Sequence, residues 1–93
     1  MQEQIKCLLL KNGDIIISEI IEVDTELGGP DCKLINPVKM TEVISKNNNN
    51  DYDMASWLDF TAQSEMMIHS DSIMSIVAPT SAILSKYLDI INQ

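Results

Sequence analysis

The stretch Leu10-Lys11-Asn12-Gly13-Asp14-Ile15-Ile16-Ile17-Ser18-Glu19-Ile20-Ile21-Glu22-Val23-Asp24 decides the fold. Asn12-Gly13 is a strong hairpin signal, because both residues tolerate positive φ. The residues after it are dense in β-branched side chains and read as a strand. Their alternation breaks partway. Ile15 and Ile17 share a face, Glu19 would follow them inward, and Ile20-Ile21 restarts the pattern out of phase. A phase shift inside a strand predicts a bulge or sharp bend, which lets one strand serve both halves of a small barrel.

Working outward, residues 5–10 read as a short strand preceding the hairpin. Residues 24–31, with Gly28, Gly29 and Pro30, read as a turn or loop. Residues 32–45 are the longest strand candidate. Cys32, Leu34, Val38, Met40 and Ile44 share one face, and Lys33, Lys39, Thr41 and Ser45 the other. Pro37 removes a ladder donor, so the strand lies at an edge or is interrupted there. The insert at about 46–54, with four consecutive asparagines, reads as a polar surface loop. A Ca²⁺ loop starting at Asn49 or Asp51 fails, lacking glycine at its sixth position and an acid at its twelfth.

Residues 56–61 alternate, with Leu58 and Phe60 opposite Trp57 and Asp59. Residues 66–69 continue or resume that strand, and residues 73–77 form the last one. Ile83, Leu84, Tyr87, Leu88 and Ile91 then make an amphipathic stripe. It predicts a helix at about 80–92, roughly 20 Å long, capped by Thr80 or Ser81. Such a helix is marginal alone and must dock. The expectation is one domain over residues 1–93: a bent, five-stranded antiparallel barrel at about 5–79 followed by the helix. An open barrel leaves two edges, and pairing them between copies, head to tail, closes a ring.

Composition limits the function. The net charge is -8 and the chain holds six Lys+Arg residues, all of them lysine. That precludes a broad phosphate-binding field and the bidentate contacts of arginine. Nucleic acid would have to be held at a local site repeated around a pore. No apolar run is long enough to span a membrane. Met1-Gln2-Glu3-Gln4 lacks the basic start of a signal peptide, so a cytoplasmic protein is expected. Cys7 and Cys32 lie among apolar residues without metal spacing and read as reduced core thiols, with a disulfide between them left open. No nucleophile–base pair, metal-ligand cluster or phosphate-binding glycine motif points to an enzyme, a metal or a cofactor.

Two motifs carry a resemblance. In the first, Leu10, Asn12, Gly13, Ile20, Val23, Asp24 and Leu27 fall in register. In the second, Ile68, Asp71, Ile73 and Ile76 do. With the polar insert between them, they resemble the paired signature of the Sm/LSm/Hfq superfamily. Ile76-Val77-Ala78-Pro79 is similar to the ending of the Hfq motif, and the small size and asparagine-rich insert are similar to Sm-like proteins of phage. The resemblance covers residues 5–79 and implies an SH3-like bent barrel, a homo-oligomeric ring, and single-stranded RNA held near a pore. The family's helix usually precedes the barrel, whereas this one follows it and is a possible interface for another protein.

Carried over residue by residue, the resemblance implies RNA contacts at Asp24, Leu27, Gly28, His69 and Ser70. Ser18 stands for the family's mid-strand glycine, Gly28 for its asparagine, His69 for its arginine and Ser70 for its second glycine. These changes imply a weakened or altered base pocket. Gly28 has no side chain to read a base, whereas His69 could stack on one or donate to it. Each residue has a plainer reading. His69 also fits a structural surface residue, and Asp24 a turn former. Met66, Met67 and Met74 fit core or interface filler, Tyr87 fits packing, and Trp57 fits a core residue or an interface anchor. Two functions follow: a ring that binds single-stranded RNA, or a ring kept as a protein scaffold after RNA binding was lost.

Overall fold

The computed structural model describes residues 4–24, 26–44, 50–58 and 60–92. Six strands precede one helix: β1 (Ile5–Leu10), β2 (Ile15–Glu22), β3 (Cys32–Ile44), β4 (Asn50–Ser56), β5 (Glu65–Ile68), β6 (Ile73–Val77) and α1 (Ser81–Ile91). All pairings are antiparallel, in the order β4-β3-β2-β1-β6, and β5 also pairs with β3. β4 and β5 share one edge of β3, β4 along residues 38–44 and β5 along residues 32–35.

The expected five-stranded barrel is thus a six-stranded sheet, and it stays open, since β6 pairs only with β1. The extra strand comes from a shift and a break in the expected fourth strand. It begins at Asn50, inside the insert read as a loop, and ends at Ser56. Tyr52 and Met54 supply the inward side chains that anchor it. Trp57 and Leu58, read as strand, leave the ladder. The Trp57 amide donates to the Pro37 carbonyl at 3.4 Å, and the Asn36 amide to the Ser64 carbonyl at 2.7 Å, so both ends of the detour are tied to the bend in β3. The rest of the insert, residues 45–49, lies outside the described residues.

The predicted bend occurs where the phase breaks, though the extra residue is on β3. Ile17 pairs with Val38 and Glu19 with Ile35, so Ser18 faces both Asn36 and Pro37. Asn36 takes φ 54°, a left-handed conformation asparagine tolerates better than most residues. Pro37 falls where the ladder needs no donor. Ser18 is fully buried, with Oγ 2.8 Å from the Glu19 carbonyl oxygen and 3.0 Å from that of Ile35. From α1, the Tyr87 hydroxyl donates to the Asn36 carbonyl at 2.9 Å and lies 3.3 Å from that of Ile35. Two hydroxyls therefore supply donors to carbonyls that the bend removes from the ladder.

The hairpin also differs in detail from its reading. Gly13 alone takes the positive φ, at 94°. The Leu10 amide donates to the Asp14 carbonyl at 2.9 Å and the Gly13 amide to the Leu10 carbonyl at 3.0 Å, the pattern of a turn closed by one left-handed residue. Asn12 accepts from the Asp14 amide at 3.0 Å.

Both faces of the sheet are apolar. Ile5, Ile17, Val38 and Met40 form one cluster with Tyr87, over which Ile83, Leu84, Leu88, Ile90 and Ile91 of α1 pack. Leu8, Leu10, Ile16 and Leu34 form the second cluster on the other face, with Ile20, Trp57, Met66, Ile68 and Ile73 around it. Ile16, Ile17 and Ser18 are consecutive and fully buried, which explains the failed alternation: a strand covered on both sides has no polar face. The Thr80 hydroxyl caps α1, accepting from the Ile83 amide at 3.3 Å. The apolar stripe of α1 is consumed within the chain. Any partner of the helix would meet Ser81, Ala82, Ser85 and Asp89 instead, which are exposed.

Candidate functional site

The loop after β2 and the 3-10 turn before β6 meet at one end of the sheet. Pro30 and the start of β3, where Cys32 to Ile35 pair with β5, bring Asp31 beside the Ser70–Ser72 turn. Its carboxylate accepts from the Ser70 amide at 2.7 Å with Oδ1 and from the Ser70 hydroxyl at 2.7 Å with Oδ2. These bonds, the hydroxyl's before the amide's, hold the Asp31 carboxyl below the usual carboxylate range. On the loop side, the Val23 amide donates to the Asp31 carbonyl at 3.0 Å. On the turn side, the Ser72 hydroxyl and amide donate to the His69 carbonyl at 2.7 and 3.0 Å.

Four of the five predicted site residues sit in the two segments without being the link between them. Asp24, Leu27, Gly28 and His69 are exposed, and Leu27 stands fully in solvent. Leu27 and Gly28 are the central residues of a turn closed by the Gly29 amide on the Glu26 carbonyl at 2.9 Å, and Gly28 takes φ 86°. That conformation accounts for glycine where the resemblance leads one to expect asparagine. Ser70 is the predicted residue that does join the segments. Its partner Asp31 was missed, and the available signal was an acid placed just after Pro30 at the mouth of β3.

The charge around this junction is acidic. Glu22, Asp24 and Glu26 on the loop side and Asp71 on the turn are exposed, and among the described residues of these two segments His69 is the basic one. Lys33, at the start of β3, is held by Glu65 at 2.6 Å. A phosphate backbone meets no cluster of cations here.

Near the hairpin, the Trp57 indole Nε1 donates to Asp14 Oδ2 at 3.1 Å, and Lys39 Nζ lies 3.3 Å from Asp14 Oδ1. The Trp57 bond, aided by Lys39 and Asn12, holds the Asp14 carboxyl below its ordinary range. Because the folded-state value is lowered, this contribution is present above the unfolded value of about 3.9 and is lost as pH falls through the folded one. We expect Trp57 emission to change on acidification with a midpoint below pH 4, and Asp14→Asn to abolish that step. A step that survives in Asp14→Asn would assign it to another group.

At the edge, β6 presents Met74, Ile76 and Val77 at 63%, 53% and 57% exposure. Ile76 pairs with the buried Leu8, so it lies on the face of the second cluster, at the open seam. There a groove of about 380 Å³ runs past Lys6, Ile20, Glu22, Cys32, Ile73 and Met74. Cys7 and Cys32 are both free thiols, and burial pushes each above the ordinary thiol range.

The fold and the site define a small, mainly β protein: an open antiparallel sheet, one face covered by a C-terminal helix, with two loops pinned at one end. No described helix is long and apolar enough to cross a membrane. The chain belongs to the family of unknown function DUF6561, whose model matches residues 3–92. No curated protein matches it.

Proposed function

We propose that the protein is a cytoplasmic, Sm-like ring subunit without enzymatic activity, which offers its pinned loops to single-stranded RNA. The observation that carries the ring is the open sheet. β6 is an edge with three side chains more than half exposed, beside an apolar groove, and the β4 and β5 edge lies at the other end of the strand order. Pairing one edge with the other edge of a second copy satisfies both rows of backbone groups and covers the groove. The Asp31–Ser70 bonds support the RNA reading, because they hold the Leu27–Gly28 turn and His69 on neighbouring segments at one end of each subunit. With few cations there, contact falls on the bases, with His69 as the stacking or donating group.

A specific observation favours a second reading. The acidic surroundings of the junction repel phosphate and suit a ring that acts as a protein scaffold. Light scattering behind a sizing column tests the ring, and a monomer at micromolar concentration overturns it. Anisotropy of labelled oligo-U and oligo-A at low and physiological salt separates the ligands. Saturable binding that weakens in His69→Ala supports RNA. Flat curves at low salt, with the ring intact, leave the scaffold.

A further inference from the structure

A second recess lies away from the pinned loops, where the detour of residues 57–64 separates β4 from β5. It is a groove of about 280 Å³, floored by the Asn36–Pro37 bend and closed at one end by Ile90 and Ile91 of α1. Its wall residues include Trp57, Thr61, Gln63 and Ser64, and none of its described lining residues carries a charge. The described lining supplies no cation to pair a phosphate or carboxylate group.

The indole is fixed before any ligand arrives. It packs on the Leu8, Leu10, Ile16 and Leu34 cluster, and its N–H is held by Asp14 at 3.1 Å. A fixed aromatic ring that reaches both core and groove is a stacking platform with little ordering cost. Thr61 Oγ1 accepts from the Gln63 amide and Gln63 Nε2 donates to the Glu65 carbonyl, so the neutral groups offered to a ligand are the Thr61 hydroxyl proton, the Gln63 side-chain oxygen and the hydroxyls of Ser56 and Ser64. The volume falls at the small end of ligand sites and admits one ring system rather than a chain. A continuous strand from Ser56 to Glu65 would remove the recess, and the tied ends of the detour keep it open.

We propose that this groove binds a small, neutral, planar heterocycle of nucleobase size. The recess is built from residues of one subunit and includes none of the pinned loops. Trp57 is the single tryptophan, and its emission reports directly on the groove. The test titrates the full chain with adenosine and uridine, excited at the red edge of the indole band, with ribose 5-phosphate as the control. We expect a saturable change for at least one nucleoside, half-complete below about 1 mM, and none for ribose 5-phosphate. Gln63→Ala and Ser64→Ala, both at exposed positions, should weaken it about tenfold or more, with unchanged unfolding. The same base in a short oligonucleotide distinguishes the source. Tighter binding assigns a base within a strand, and equal or weaker binding a free nucleoside. Non-saturating responses to both forms, an equal response to ribose 5-phosphate, or full affinity in both variants would overturn the site.

Discussion

Tyr87→Ala should destabilise the protein by about 3–5 kcal/mol, the range for deleting a buried aromatic ring. Tyr87 is 1% exposed, sits in the cluster formed by Ile5, Ile17, Val38 and Met40, and supplies a hydroxyl to the bend. The loss is a large part of the stability of a domain this size. It corresponds to a fall of roughly 15–25 °C in Tm, read by circular dichroism. Tyr87→Phe keeps the ring and removes one hydrogen bond, so it should cost about 1 kcal/mol. The Asn36 carbonyl is then left without the hydroxyl, while Ser18 still serves that of Ile35. If Tyr87→Ala unfolds within about 0.5 kcal/mol of the parent, the helix is not part of the core.

The second large effect concerns assembly. Ile76→Glu, alone or with Met74→Glu, should turn the proposed ring into a folded monomer. Both side chains are more than half exposed, so a charge there costs the single subunit little. In a paired edge the same charge would be buried against apolar groups without a partner, at several kcal/mol per interface. Sizing with light scattering reads the mass, and thermal unfolding confirms the fold. An unchanged oligomer in the double variant would place the contact elsewhere and remove the main support for the ring.

The contrast between these variants reflects what could be read from the sequence. The stripe from Ile83 to Ile91 announced the helix, its Thr80 cap and its need to dock, because helical periodicity is a local signal. The bend was legible through Pro37, which marks an interruption of β3, whereas the failed alternation of β2 reflects burial on both faces rather than a bulge in that strand. β4 was hidden. Tyr52 and Met54 alternate as a strand should, but the asparagines before them and the acids around them have the composition of a loop. Their strand state comes from pairing with Val38 to Ile44, a long-range cause. The opposite error arose at Trp57 and Leu58, apolar residues that suit a strand but are turned out of the ladder by bonds to the distant Pro37 and by the Asp14 acceptor. At the candidate site, Ser70 was legible through its motif, whereas Asp31 was not, since a single acid after a proline carries no periodicity.

The position of Tyr87 along the chain also has a kinetic meaning. During synthesis all six strands emerge before the residue that completes one of the two cores. Until then, Ile5, Ile17, Val38 and Met40 form an uncovered apolar face, on a sheet that already has open edges. Nascent chains in this condition are prone to pair with each other. The last helix is therefore a timing element as well as a packing one: that face stays uncovered until α1 arrives, and a chain stopped before residue 87 would be a sticky sheet rather than a smaller version of the protein.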